Sequence, residues 1–307
     1  MYRYIKIILL LILFTSFQVS SQSNFLESDS LPNKSRLLGA STVIGTAWVG
    51  SILGLSAVWY KDSWGGGFKF FNDADEWLQM DKFGHAYAGN HISRNTYNVY
   101  RWAGLPLEKS LLYSSLISFG YLATFEVLDG FSEDWGFSWA DIAANAFGVG
   151  WFAWQELLWQ EQRFKMKFSS SPSPYAKYRP EVLGSSFSER MLKDYNGQTY
   201  WFNFNPSQFM DESNSFPKWL SFSFGYSVDE KLHGFDNVYE YHDPINNEYK
   251  VFNARRQYLF SLDLDLERIP VKKKWLKTTF SLLNHLKIPF PTVEFSNGKF
   301  KAHPIYF

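Results

Sequence analysis

The sequence predicts an α+β protein in which an N-terminal region of four apolar helices precedes a small, mainly antiparallel β domain. Apolar runs of helical length with few charges occupy residues 36–165, and we assign these residues to a membrane-associated helical domain. Alternating apolar and polar residues, the pattern of half-buried strands, recur across 191–307. A Ser- and Pro-rich stretch at 169–174 separates the two patterns, so we place a linker at 166–190.

The first residues have the features of a Sec-type signal peptide. Arg3 and Lys6 form a basic start, residues 7–14 form a short apolar stretch, and Val19-Ser20-Ser21 precede a cleavage site. We expect residues 1–21 to be removed and residues 22–35 to form a flexible leader. The apolar stretch is too short to span a bilayer comfortably, which favours export over an uncleaved anchor.

Composition narrows the possible functions. Phe, Trp and Tyr make up 20% of the residues, which favours a membrane interface over an aromatic-rich soluble core. Loss of Arg3 and Lys6 with the signal peptide leaves 28 basic and 30 acidic residues, so nucleic acid is not expected as a partner. The sequence contains no cysteine, which excludes thiolate metal sites, cysteine nucleophiles and lipid attachment through cysteine.

The first predicted helix is long enough to cross a membrane. Residues 37–60 contain no charge, and as a helix they extend over roughly 36 Å, against roughly 30 Å of hydrocarbon core. Gly50 and Gly54 form a GxxxG pair that favours helix–helix association. The alternative is a fully buried helix of a soluble bundle. Membrane lipid is therefore the expected partner, in an exported, periplasm-facing protein of the cell envelope, and the residues do not decide between the inner and the outer membrane.

Three further helices and a set of strands follow. Helices are predicted at 73–101, 107–128 and 138–162, the last opening with Ser138 as its N-cap. Strands are predicted at 200–205, 220–226 and 258–269, a short amphipathic helix at 274–286, and a last extended segment at 292–307. Five or six strands are too few for a closed membrane barrel, which starts at about eight. In residues 262–267 leucines alternate with carboxylates, and we predict that the carboxylate face is solvated. The histidines beyond residue 230 are expected at the surface or at strand ends.

Ionisable residues recur at helical spacing in the second, third and fourth predicted helices. Residues four apart on a helix share a face, as do residues three apart, and isolated charges in apolar surroundings cost several kcal/mol. We therefore expect these side chains to converge, with Lys82 paired to Glu126 or Asp141 and with His85 and Asn145 supplying further hydrogen bonds. The predicted polar network consists of Asp81, Lys82, His85, Glu126, Asp129, Asp141 and Asn145.

The order Asp-Lys-x-x-His, then Glu, then Asp-x-x-x-Asn-x-x-Gly resembles the pattern of VanZ-like proteins. It resembles more closely that of YfiM-type proteins, a family of predicted periplasmic lipoproteins of unknown function. The resemblance covers roughly residues 73–152, about a quarter of the chain. It is carried by Asp81, Lys82, His85, Glu126, Asp141, Asn145 and Gly148. Asp129 stands where VanZ-like sequences tend to have Gln, no Arg precedes the Asp141 motif, and a lipoprotein cysteine is absent. The resemblance implies an envelope membrane protein and carries no reaction with it.

Three roles for the network follow from the sequence. It can act as a structural latch that fixes helix register, or it can bind a ligand such as a lipid head group or a cell-wall precursor. The alternative is a membrane-embedded hydrolase or transferase acting on lipid-linked envelope substrates. There His85 can act as a general base, or His85, Glu126 and Asp141 can ligate a metal. The sequence contains neither HExxH nor GxSxG, and His91 lies on a different face from His85. We therefore predict no cofactor and no metal, and assign no catalytic residue.

Overall fold

The fold is α+β, as predicted, with long helices in the first half of the chain and an antiparallel sheet in the second. It is seen in a computed structural model that describes residues 31–60, 63–211, 215–243 and 246–307. The predicted signal peptide and most of the predicted leader lie outside these residues. Four long helices are α1 (Lys34–Trp59), α2 (Met80–Trp102), α3 (Leu107–Gly130) and α4 (Trp139–Trp159), and three short ones are α5 (Pro180–Leu183), α6 (Phe187–Lys193) and α7 (Lys274–Leu283).

Helix α2 is not apolar, in contrast to the prediction for this region. Its buried positions include Asn90, His91, Ser93, Arg94 and Thr96. These side chains lie against other parts of the chain, as where His91 Nε2 lies 2.8 Å from the carbonyl oxygen of Met166. Burial of polar groups is tolerated where hydrogen bonds replace water, so α2 is an internal helix.

Two glycines allow α2 and α4 to pack very closely. A Cβ atom added at Gly148 would lie 2.0 Å from the carbonyl oxygen of Ala86, and one added at Gly89 would lie 2.8 Å from that of Asn145. Further along, the rings of Tyr97 and Phe152 pack 5.5 Å apart. The contacts advance in the same direction on both helices, which are therefore parallel, and α3 runs antiparallel beside them.

The first helix, α1, lies at the outside of the bundle. It touches α3 where the rings of Trp48 and Tyr121 meet at 5.7 Å. By length and composition, α1 and α3 can each cross a membrane, and only 6% of the α1 segment is buried, against 28% for α3. A Cβ atom at Gly50 or Gly54 would meet nothing within 4 Å, so this GxxxG pair makes no close contact within the described chain.

The strands of the described chain are β1 (Phe164–Ser170), β2 (Gln198–Phe204), β3 (Leu220–Asp229), β4 (Val238–Asp243), β5 (Glu248–Asn253), β6 (Arg255–Leu264), β7 (Phe290–Ser296) and β8 (Lys299–Tyr306). Six of them form one antiparallel sheet in the order β1-β2-β3-β6-β7-β8, and a hairpin of β4 and β5 forms a second sheet. The segment 166–190, predicted as a linker, contains most of β1, which pairs with β2 along its whole length.

The large sheet has one aromatic face and one polar face. The aromatic face packs on the helices through contacts such as Phe83 with Tyr226, at 4.7 Å, and Trp151 with Phe202, at 5.5 Å. The polar face is buried on the other side and carries, among others, Lys167 of β1. The helical and β-rich regions therefore share an interface made largely of aromatic rings.

Two expectations for the β-rich region are wrong. Asp263 and Asp265, predicted on a solvated face, are 0% and 1% exposed, because the Lys167 and Lys165 ammonium groups each lie 2.7 Å from a carboxylate oxygen of Asp263 and Asp265, respectively. His285, expected at the surface or a strand end, packs its ring 4.1 Å from that of His91 on α2. The two carboxylates are buried because ammonium groups on another strand replace their water, whereas His285 is partly covered by the ring of His91.

Candidate functional site

A buried ion cluster joins the first turns of α2 and α4. The Lys82 ammonium lies 2.8 Å from Asp73 Oδ2, 3.0 Å from Asp81 Oδ2 and 2.6 Å from Asp141 Oδ1. Asp141 is the predicted partner of Lys82, and Asp81 lies one residue before it. Helix N-termini carry partial positive charge, which favours carboxylates in a first turn. Lys82 therefore binds carboxylates from α2, from α4 and from the loop before α2.

The turn before α2 is unusual and is held by the sheet. Trp77, Leu78 and Gln79 have φ values of 50°, 53° and 69°, in the left-handed region that costs non-glycine residues about 1 kcal/mol or more each. The Tyr226 hydroxyl donates to the carbonyl oxygen of Leu78, and Arg256 donates to the Gln79 side chain at 2.7 Å. Contacts with β3 and β6 thus set where α2 begins and where Asp81 and Lys82 lie.

His85 lies one turn further along α2, where its ring faces both α3 and α4. Its Nδ1 is 3.0 Å from Asn145 Oδ1 on α4 and 3.6 Å from Glu126 Oε1 on α3. Because the Asn145 oxygen accepts, Nδ1 carries a hydrogen. The other ring nitrogen, Nε2, lies 3.7 Å from Asp81 Oδ1 and 3.6 Å from Asp141 Oδ1. These distances exceed those of hydrogen bonds, so Nε2 faces two carboxylates without bonding to either.

Six of the seven predicted network residues thus converge, and Asp129 has a different partner. Its Oδ1 accepts from the Tyr60 hydroxyl at 2.6 Å, which ties the end of α3 to the end of α1. Glu126 is 1% exposed, and its Oε1 has no hydrogen-bond partner among the described residues; the same holds for Asn145 Nδ2. The network therefore contains polar atoms that its own members do not satisfy.

Two contributors to the site were not predicted from the sequence, Asp73 and Tyr195. Asp73 binds Lys82 and accepts from the Ser138 hydroxyl, although Ser138 itself was predicted correctly as the N-cap of α4. Tyr195, from the β-rich region, donates its hydroxyl to Asp81 Oδ1 at 2.8 Å. Asp73 lies in a loop and Tyr195 lies 114 positions from Asp81, so no helical spacing could have pointed to either residue.

The carboxylates set the charge of the two cations. Burial alone would lower the pKa of His85, but Asp81, Asp141 and Glu126 outweigh it and raise that pKa to about 9. Burial likewise opposes the charge on Lys82, and Asp81 and Asp141 raise its pKa further above its usual value. Burial and the nearby Asp81 raise the pKa of Asp141. Both cations are therefore charged at neutral pH.

One side of the network opens on a cavity of about 560 Å³. Asp81 and His85 supply its charged wall, and their side chains remain 26% and 22% exposed, against 6% for Asp141. The rest of the wall is mainly aromatic or apolar and includes Leu55, Tyr60, Ile92, Tyr121, Leu122, Phe125, Phe168, Met191, Leu192, Tyr195 and Tyr200. A mainly apolar cavity with a few convergent polar groups is the usual form of a small-molecule site.

The same side chains include donors for a metal ion. One donor atom from each of Asp81, His85 and Asp141 lies within 4.8 Å of the others. Two carboxylates and an imidazole suit divalent transition metals, and the Asn145 oxygen orients the ring so that Nε2 is the nitrogen available. Lys82 already binds both carboxylates, which lowers their affinity for a second cation.

Comparison with known proteins places this region in a family context. Residues 67–155, which contain all seven predicted network residues, match the model of a family described as a predicted periplasmic lipoprotein (DUF2279). No curated protein and no solved structure matches the chain. The family match supports an exported, periplasmic protein of a family of unknown function. The relation to VanZ-like proteins stays a prediction, and the sequence has no cysteine to carry a lipid.

Proposed function

We propose that this chain is a membrane-associated envelope protein that binds an amphipathic ligand in the cavity beside His85. The polar end of the ligand is held by Asp81 and His85, and its apolar part lies among the aromatic side chains. The observation that carries the proposal is that two members of a buried ion network form the charged end of an otherwise largely apolar cavity.

The network has two halves with different roles. The Lys82 half, with Asp73 and Asp141, is closely paired and buried, and it acts as the latch that fixes α2 against α4. The His85 half lies at the cavity, where the Asp81 and His85 side chains remain 26% and 22% exposed. His85 Nε2 bonds to neither of the two carboxylates that it faces. Groups that fix packing are normally fully satisfied, so an open donor on the cavity side favours a ligand there.

The chemistry of the cavity suggests the class of ligand. A lipid or a lipid-linked envelope precursor combines a long apolar part with a polar group rich in hydroxyl or phosphate oxygens. The charged imidazole of His85 can donate to such oxygens, and Asp81 can accept from hydroxyl groups. The weakly buried α1, with Leu55 in the cavity wall, supports entry of such a ligand from a membrane.

The test fills the cavity without touching the network. Ala88 lines the cavity, and Ala88→Trp should exclude the ligand. The matched control is Ala146→Trp on α4, at an exposed position that does not line the cavity. The chain is purified in mild detergent, and copurifying lipids are identified by mass spectrometry. We expect the wild type and the control to carry the same amphipathic molecule, and Ala88→Trp to carry several-fold less.

Equal lipid content in all three proteins would overturn the binding proposal. The structural latch would then be the only role of the network that is supported. His85→Gln supplies a second measurement, because it keeps the size of the side chain approximately and removes its charge. We expect this variant to fold with a lowered thermal midpoint, because the surrounding carboxylates lose a cation, and to lose the same lipid. Loss of folding would instead assign His85 to the latch.

A second candidate is an envelope hydrolase or transferase acting on lipid-linked substrates. The observation that favours it is the placement of three metal donors on Asp81, His85 and Asp141, since a bound metal can activate water. The discriminating experiment incubates the purified chain with the copurified lipid and a divalent metal. Release of a head group that His85→Gln abolishes would favour the enzyme; recovery of unchanged lipid would favour the binding protein.

A further inference from the structure

Helix α7 presents its polar side to the protein and its apolar side to the exterior. The Ser281 hydroxyl donates to Glu267 Oε1 at 2.7 Å, and the Asn284 amide donates to Asp265 Oδ1 at 3.0 Å. Helices at the surface of a soluble domain show the reverse arrangement, with apolar residues inward. Exposed apolar side chains on the outward side of such a helix favour an apolar environment outside the protein.

The outward side of α7 carries an apolar stripe formed by Trp275, Leu282 and Leu283. Trp275 is 63% exposed, Leu282 is 58% exposed and Leu283 is 45% exposed. Leu282 and Leu283 lie seven and eight residues after Trp275, which places all three on one helical face. Trp and Leu on one face of a basic helix are typical of helices that lie in the plane of a membrane interface.

Lysines surround the start of this stripe. Lys272, Lys273, Lys274 and Lys277 are all exposed, and they lie at or just before the first turns of α7. Clusters of four or more such cations beside an apolar helical face bind anionic lipids, since each contributes attraction to the negative surface. The combined charge and apolarity favours a lipid surface over a protein groove.

A polar cavity of about 810 Å³ lies beside the lysines. Six cations and three carboxylates line it, and the carboxylates are engaged: Glu267 with Arg94 and Lys165, Glu161 with Arg268, and Glu156 with an amide. Across the described ranges no ion pair joins a carboxylate to Lys218, Lys272 or Lys277. The cavity therefore has an excess of positive charge, which suits a phosphate group.

We propose that α7 lies in the interface of an anionic bilayer, with its apolar stripe among the acyl chains and a lipid phosphate in the adjoining cavity. This surface is separate from the cavity beside His85 and does not depend on it. It provides membrane contact beyond α1 and makes that contact selective for negatively charged lipid.

The absence of cysteine from the sequence permits a specific test in the full chain. Leu282→Cys is labelled with an environment-sensitive fluorophore and reconstituted into vesicles of phosphatidylcholine, with or without phosphatidylglycerol, that contain acyl-chain spin labels. We expect several-fold stronger quenching of the label in the anionic vesicles. Glu240→Cys, at an exposed position of β4, is the control and should remain unquenched.

Charge reversal and a soluble anion separate the possible outcomes. Lys272→Glu together with Lys277→Glu should reduce quenching at Leu282 to the level in neutral vesicles. Quenching of equal strength in both vesicle types would overturn the headgroup selectivity. A Leu282 label that stays water-exposed, or that is protected without quenching by lipid, would overturn the membrane contact. Loss of the quenching on addition of inorganic phosphate would assign the cavity to free phosphate and overturn the lipid assignment.

Discussion

The Lys82 ammonium lies 2.6 Å from Asp141 Oδ1 and so joins two parallel helices at their first turns. The same ammonium binds Asp73 and Asp81, which makes Lys82 the only lysine or arginine within ion-pair distance of these three carboxylates among the described residues. Removing one partner of a buried pair costs more than the pair contributes, since it leaves an uncompensated charge. The loss of Lys82 should therefore be severe.

Lys82→Met should destabilise the fold by about 3–5 kcal/mol, the usual cost of breaking a buried ion pair. The measurement is denaturant unfolding of the detergent-solubilised chain followed by tryptophan fluorescence. Lys109→Met, at an exposed position on α3, is the control and should change the free energy of unfolding by less than about 0.5 kcal/mol. Adding Asp141→Asn to Lys82→Met should recover part of the loss, and no recovery would argue against the pairing.

The helical part of the site could be predicted from the sequence because its signal is local. Asp81 and His85 lie four apart, as do Asp141 and Asn145, so each pair shares a face whatever the rest of the chain does. Isolated charges on such faces must find partners, and that argument predicted Glu126 or Asp141 as the partner of Lys82. The structure pairs Lys82 with Asp141. It placed Asp129 in the same network, where its side chain instead accepts from Tyr60 at the end of α1.

The β-rich part was predicted less well because alternation does not say which face is buried. Leucines and carboxylates alternate through residues 262–267, and the carboxylate face was predicted to be solvated. The structure buries Asp263 against Lys167, from a strand about a hundred residues earlier. The side chain of Tyr195 reaches Asp81 only through tertiary packing. Partners so distant in sequence leave no periodic signal.

Gly148 should be intolerant of any side chain. A Cβ atom there would lie 2.0 Å from the Ala86 carbonyl oxygen, which belongs to the backbone and cannot rotate away. Gly148→Ala should therefore force α2 and α4 apart and cost about 2–3 kcal/mol or more. Its effect is read from the thermal midpoint and from tryptophan fluorescence.

Gly150 provides the matched control on the same helix. A Cβ atom at this position meets nothing within 4 Å, so Gly150→Ala should stabilise the protein by about 0.5–1 kcal/mol through helix propensity alone. Opposite signs for the two substitutions are expected. If Gly148→Ala were neutral, the close parallel packing of α2 on α4 would be refuted.

Lys167 should be required for the polar face of the sheet. Its ammonium lies 2.7 Å from Asp263 Oδ2 and donates to the carbonyl oxygen of Leu264 at 2.8 Å, with both charged side chains almost fully buried. Lys167→Met should cost about 2–3 kcal/mol, less than Lys82→Met, because Asp263 keeps the amide of Asn203 and the backbone N–H of Ile288. A loss larger than that for Lys82→Met would contradict this ranking.

Acid should destabilise the contact between α2 and the segment after α7. Burial and the nearby Arg94 lower the pKa of His285 to about 4, and burial lowers the pKa of His91 well below its usual value. Below pH 6.5 the unfolded chain binds protons at these two histidines that the folded chain does not, so their contribution to stability is complete above this pH and falls toward pH 4. His285 alone should contribute a loss of about 3 kcal/mol. Unfolding free energies measured across this range should fall less steeply for His285→Gln, whereas His242→Gln, at an exposed position of β4, should follow the wild type. Parallel curves for His285→Gln and the wild type would show that this histidine is already charged in the folded protein.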